Sequence, residues 1–294
     1  MSTSQFQNLI NHSIGVGSNP DLVQASGGNT SWKSNNKIWV KGSGKRLKDA
    51  GTEEIFAFIE LEGLSEREIL GCNDFLPYTI NSIAPSIEAN FHILLKDNFV
   101  THLHSLGSIS MGVSSECAYT NMFEEILRFV PYFRPGPDLA YAIKQIESYS
   151  EKILVLRNHG VIFSGETCDD IERKIQLFED LAREYFMRIP QSSRFPDWIE
   201  ILTSGVLTPD EAVFLGTKPF TKSECILENS IGINSEGELL FPRDFSEDRV
   251  ELGRFYQRVA RLIEKKTFVT YLPVEEIDSL RNWDKEKLRN GMLK

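Results

Sequence analysis

The chain has 294 residues and a formal net charge of −10, with 41% hydrophobic and 25% charged residues. That length can bury a full core, as one large domain or two small ones. The acidic balance excludes non-specific nucleic-acid binding, which relies on clustered Lys and Arg, and no run approaches the roughly 18 apolar residues of a membrane span.

The N-terminus has neither a basic region nor an apolar block, so no signal peptide is expected. Residues 4–16 predict a short helix. Gly27-Gly28-Asn29-Thr30-Ser31 reads as a loop, followed by a strand over Lys37–Lys41. Lys41-Gly42-Ser43-Gly44-Lys45 is a second glycine loop, and residues 55–59 predict another strand. A helix is expected from Ser86, as N-cap, to about Lys96, burying Phe91, Leu94 and Leu95. Residues 98–104 predict a strand. Residues 153–156 and 161–163 predict a hairpin around Asn158-His159-Gly160. Ile171, Ile175, Phe178, Ala182, Tyr185 and Ile189 recur at three- and four-residue steps, so a helix is expected there, stopped by Pro190.

Residues 191–196 read as a polar linker. A strand is expected over Ile231–Phe241, broken by a turn at Asn234–Gly237. A helix after Ser246 is expected to bury Val250, Phe255, Val259 and Leu262. The charged tail after Tyr271 reads as peripheral. The mixture of strands and helices gives an α/β or α+β class. Cys72, Cys117, Cys168 and Cys225 form no CxxC pair. That excludes a cysteine zinc finger and fits reduced thiols in a cytoplasmic protein.

Chemistry concentrates on three of the five histidines. His102 and His104 are two apart on a predicted strand, so both face the same side while Leu103 packs on the other. Two such imidazoles can reach one ion, although an isolated pair is as readily one buried and one exposed histidine. His159 in the hairpin turn offers a third ligand. A catalytic zinc site uses three protein ligands and one open position. Glu88 has a structural reading in the first turn of a helix, where carboxylates are favoured. It also has a functional one, as a general base beside a cation. His92 shares a helix face with Glu88 and competes as a ligand, whereas His12 reads as structural. The two glycine loops can act as anion nests. Nucleotide fingerprints are rejected: Gly42-Ser43-Gly44-Lys45-Arg46 lacks the first glycine and the final Ser/Thr of a P-loop, and Gly15-Val16-Gly17 has no third glycine before a helix.

In this order, Gly28-Asn29-Thr30-Ser31, Lys41-Gly42-Ser43-Gly44, Pro85-Ser86-Ile87-Glu88, His102-Leu103-His104 and Asn158-His159-Gly160 resemble the class II aldolase/adducin family, over residues 20–190. The resemblance implies a three-layer α/β/α sandwich with a mostly antiparallel central sheet, commonly a tetramer. It implies a catalytic domain at 1–190 and an α+β C-terminal extension at 191–294 packed on it. It makes His102, His104 and His159 ligands of Zn²⁺ or another divalent metal, and Glu88 the acid/base. Asn29, Ser43, Gly44 and Ser86 become the phosphate pocket. The implied reaction is reversible aldol cleavage of a ketose phosphate through a metal-stabilised enediolate.

Two features depart from the family pattern. Ile87 stands where fuculose-phosphate aldolases carry a second phosphate-binding serine, and residues 191–294 exceed the minimal domain. Tyr119, Tyr132, Tyr256 and Tyr271 are candidates for a second acid. A sugar-acid phosphate decarboxylase, dehydratase or epimerase uses the same scaffold. A non-catalytic adducin-like module is the alternative of a different class, and keeping all three histidines argues against it. The expected partners are a sugar phosphate and further copies of the chain, with no nucleic acid and no membrane.

Overall fold

The computed structural model describes residues 3–115, 123, 125–146 and 153–284. Its centre is a seven-stranded sheet: β1 (Asn29–Ser34), β2 (Lys37–Lys41), β3 (Phe56–Glu60), β4 (Phe99–Leu103), β5 (Leu127–Val130), β6 (Ile153–Leu156) and β7 (Gly160–Gly165), in the order β3-β2-β1-β4-β7-β6-β5. Only β5 and β6 pair in parallel; the other neighbours are antiparallel. The helices are α1 (Thr3–Gly17), α2 (Glu66–Gly71), α3 (Ala89–Leu94), α4 (Leu106–Val113), α5 (Pro137–Lys144), α6 (Cys168–Arg188), α7 (Trp198–Ser204), α8 (Glu247–Ile263) and α9 (Val274–Asn282).

Alternation along β4 sorts side chains between the two faces of the sheet. Phe99 and Leu103 join a large core with Leu9 of α1, Met111 of α4, Phe178 of α6 and Phe255 of α8. Val100 points the other way, to Phe91 of α3 and Leu139 of α5. A further cluster on Ile38, Val40, Ile59 and Ala89 extends the apolar packing beneath β2 and β3. The result is the expected three-layer sandwich with a mostly antiparallel sheet.

The longest helix follows its sequence signals closely. The Thr167 side chain caps α6 by accepting from the Asp170 N–H, and Asp169 and Asp170 sit in its first turn. There they meet the positive end of the helix dipole. Ile171, Ile175, Phe178, Ala182 and Tyr185 are buried, and the helix ends before Pro190.

Other expectations are corrected. α3 begins at Ala89 and ends at Leu94, so Ser86 does not cap it. Gly42 and Pro85 form an antiparallel bridge, and the Ser86 N–H donates to the Lys41 carbonyl. This pairing with the end of β2 holds residues 85–86 extended. α8 buries Leu252, Phe255, Tyr256, Val259 and Ile263, while Val250 and Leu262 are half-buried. Residues 191–196 are pinned to the end of α8: Ser192 N–H donates to the Lys265 carbonyl, Lys265 N–H donates to the Pro196 carbonyl, and Phe195 is buried. The stretch after Tyr271 is not peripheral either. Leu272, Ile277 and Leu280 join the large core, and Glu276 receives bonds from Tyr132 and Arg134.

Between α7 and α9 the chain also forms one π-helical turn (Glu211–Leu215). A small sheet follows, of β8 (Phe220–Lys222), β9 (Ile231–Ile233) and β10 (Leu239–Leu240), ordered β10-β9-β8. β9 and β10 are the two halves of the predicted interrupted strand, joined through the Asn234–Gly237 turn, in which Gly237 has φ 81°.

Candidate metal centre

β4 delivers His102, and the residue just past its end is His104. His159 sits in the turn joining β6 to β7, where the His159 N–H donates to the Leu156 carbonyl. Asn158 takes a left-handed φ of 53° in that turn, a conformation asparagine tolerates better than most residues. One ring nitrogen from each of His102, His104 and His159 lies within 4.8 Å of the others, and all three residues are buried. Gly160 makes the convergence possible. A Cβ there would lie 2.4 Å from the Leu103 carbonyl oxygen, 2.9 Å from His102 Cε1 and 3.0 Å from His104 Cδ2.

The hydrogen bonds assign the tautomers. His102 Nδ1 is 3.0 Å from the Val161 carbonyl oxygen, an acceptor, so Nδ1 carries the proton. His104 Nδ1 is 2.7 Å from Asp210 Oδ2, with the same consequence. Both Nε2 atoms therefore present lone pairs, yet they face each other at 3.0 Å. Two lone pairs do not bond to one another, so a cation or a proton between them is needed. Burial pushes the His102 pKa down to about 4 and that of His159 to about 3, outweighing the pull of Glu88. His102 and His159, neutral at pH 7, offer lone pairs that a divalent metal can take. The donor set fits a divalent ion.

Glu88 faces this cluster. Oε2 is 3.5 Å from His102 Nε2 and Oε1 is 3.3 Å from His159 Nε2. Burial alone would raise its pKa. The histidines, His102 foremost, and a hydrogen bond from Asn29 outweigh burial and hold it down to about 2. A chain of bonds fixes its orientation. The Ser31 hydroxyl donates to His92 Nδ1 at 2.7 Å, His92 Nε2–H donates to Asn29 Oδ1, and Asn29 Nδ2 donates to Glu88 Oε2 at 2.9 Å. Strand register underlies this chain, because Asn29 pairs directly with His102 across β1 and β4. Among the described residues Glu88 Oε1 has no hydrogen-bond partner.

His92 therefore stands outside the triad, with both ring nitrogens engaged. His12 is structural, bonded to Thr101 at 2.9 Å and Glu172 at 3.2 Å. Asn29, Ser43, Gly44 and Ser86 line one pocket with Glu88, His104 and His159. Asn29 Nδ2 also reaches Ser86 Oγ at 3.2 Å. Buried Lys41 joins that lining and donates to the Ser26 and Lys45 carbonyls. Sequence reasoning missed Asp210, which lines the same pocket. Tyr132, Tyr256 and Tyr271 bond to Glu276, Thr208 and the Ile201 carbonyl and do not line it. Tyr119 lies outside the described residues.

A mostly antiparallel three-layer sandwich with three histidines and a carboxylate converging at the end of β4 defines a class II aldolase-like protein. The profile for the Class II Aldolase and Adducin N-terminal domain matches residues 16–186, and the chain belongs to that family. The chain is similar to the L-fuculose phosphate aldolase of Methanocaldococcus jannaschii, at 24% identity over 171 residues, 55% of this chain and 84% of that one. It is also similar to the 3-oxo-tetronate 4-phosphate decarboxylase of Haemophilus influenzae, at 24% identity over 176 residues, 54% of this chain and 76% of that one. Among solved structures, the N-terminal class II aldolase domain of a conserved protein from Thermoplasma acidophilum matches with a TM-score of 0.52 at 23% identity, covering 64% of this chain and 96% of that one. That likeness speaks for the fold.

Proposed function

We propose that this chain is a zinc-dependent lyase that cleaves a ketose phosphate reversibly by aldol chemistry. The observation that carries the reading is the buried triad of His102, His104 and His159, with two Nε2 atoms 3.0 Å apart beside Glu88, whose Oε1 has no hydrogen-bond partner among the described residues. In this reading the three histidines hold the ion, which supplies Lewis-acid polarisation of the substrate carbonyl. Glu88 Oε1 gives and takes the proton at the substrate carbon, while Asn29 holds Oε2. Asn29, Ser43, Gly44 and Ser86 receive the phosphate, with the charge of Lys41 nearby. Residues 1–190 act as the catalytic domain and 191–294 as an extension packed on it. The protein works as a cytoplasmic homo-oligomer.

A second reading, a sugar-acid phosphate decarboxylase, draws support from the Haemophilus influenzae relative. Both reactions leave a carbanion beside a carbonyl, so the same site serves either. Zinc-loaded protein given dihydroxyacetone phosphate and a panel of aldehydes separates them. Metal-dependent formation of a new carbon–carbon bond is the expected result. Carbon dioxide release from a 3-oxo-acid phosphate without aldol product would replace the first reading with the second. Inactivity in both assays would overturn both readings.

A further inference from the structure

We propose that Asp210 is a positioning residue for the metal centre, a carboxylate that the segment beyond the family domain donates to lock His104 in its ligating tautomer. The inference rests on the reading that the triad holds a divalent ion. Asp210 lies outside the family match at 16–186. It is buried, and its Oδ2 accepts from His104 Nδ1 at 2.7 Å. A carboxylate only accepts, so the bond fixes the proton on Nδ1 and turns Nε2 towards the cluster. A negative partner also makes the imidazole a stronger ligand, as in carboxylate–histidine–zinc arrangements. His102 receives a weaker version from within the domain, the neutral Val161 carbonyl at 3.0 Å.

The segment carrying Asp210 is held in place from several sides. Asn158, next to the ligand His159, donates through Nδ2 to the Leu207 carbonyl at 2.9 Å and the Thr270 carbonyl at 2.8 Å. The Thr208 and Tyr256 hydroxyls bond to each other, tying the segment to α8. Glu211 Oε2 accepts from the Leu207 N–H at 2.6 Å. Gly27 leaves the space: a Cβ there would lie 3.2 Å from His104 Nδ1 and 3.3 Å from Asp210 Oδ2. The domain is thus shaped to admit a carboxylate that its own sequence does not contain, and residues 191–294 gain a role in the chemistry.

The test uses the full chain, with metal removed by chelation and with ¹⁵N-labelled histidine. Long-range ¹⁵N–¹H spectra read the His104 tautomer, zinc competition titrations read affinity, and the visible band of the cobalt-substituted protein reads ligand geometry. The expected results are the Nδ1–H tautomer in wild type, zinc affinity about tenfold weaker in Asp210→Asn, and 10- to 100-fold weaker in Asp210→Ala with an altered cobalt band. Circular dichroism checks that each variant is folded; should Asp210→Ala unfold, the isosteric Asp210→Asn carries the decision. Unchanged zinc affinity and cobalt spectrum in the variants would overturn the role of Asp210 while leaving the metal reading intact. Failure of wild type to bind zinc would instead remove the metal reading, and this inference with it.

Discussion

The two oxygens of Glu88 are held differently. Oε2 is held by Asn29, and Oε1 faces His159 with no hydrogen bond from the described residues. A carboxylate with one anchored and one available oxygen can exchange a proton without losing its place. Glu88→Gln keeps the shape and removes the proton-accepting carboxylate. On the proposed reading the variant is expected to bind zinc as wild type does and to lose about 10²- to 10⁴-fold in the rate of proton exchange on dihydroxyacetone phosphate, followed by NMR in deuterated water. An unchanged rate would remove Glu88 as the base. His92 makes the complementary case. It resembles a ligand in sequence, yet its two nitrogens serve Ser31 and Asn29. His92→Phe is expected to leave zinc stoichiometry unchanged and to cost about 1–3 kcal/mol in denaturant unfolding, from buried polar groups left unpaired. Loss of zinc from that variant would return His92 to the ligand set.

The elements that place these residues differ in how openly the sequence announces them. β4 and the β6–β7 hairpin follow from apolar runs and a turn, and α6 from its repeat and its stop at Pro190. His102 and His104 share a face because strand alternation requires it, so two-thirds of the triad was legible from local rules. The start of α3 was not, because the bridge from Gly42 to Pro85 is a tertiary pairing that overrides the capping preference of Ser86. Asp210 was invisible for a stronger reason. It stands 106 residues from His104 in the chain, and its segment shows no apolar periodicity of its own. The π-helical turn that follows buries Glu211 completely, and burial raises its pKa to about 8 despite hydrogen bonds from Leu207 and Thr208. A carboxyl with a folded pKa above its unfolded value binds more protons in the folded state. Stability therefore falls as pH rises from about 4.5 to about 8. Glu211→Gln keeps the acceptor for Leu207 and is expected to flatten that decline in thermal melts across the window. A wild-type slope in the variant would show that Glu211 does not titrate there.

Across the whole molecule, one apolar cluster runs from Leu9 in α1 to Leu280 in α9 and includes residues of the sheet, of α6 and of α8. The C-terminal hundred residues are thus packed into the same core as the face of the sheet opposite the histidine cluster. That continuity lets Asn158 and Asp210, both buried, bond across from one part of the chain to the other. The histidines and Glu88 gather where β4 ends, the turn before β7 begins and the loop after β2 meets Ser86, so the site depends on the register of the sheet rather than on any single loop. Anomalous diffraction at the zinc edge from crystals of the zinc-loaded protein tests this arrangement most directly. The account predicts one strong peak enclosed by His102, His104 and His159, about 2.0–2.1 Å from a nitrogen of each. A peak elsewhere, or none at the triad, would contradict it.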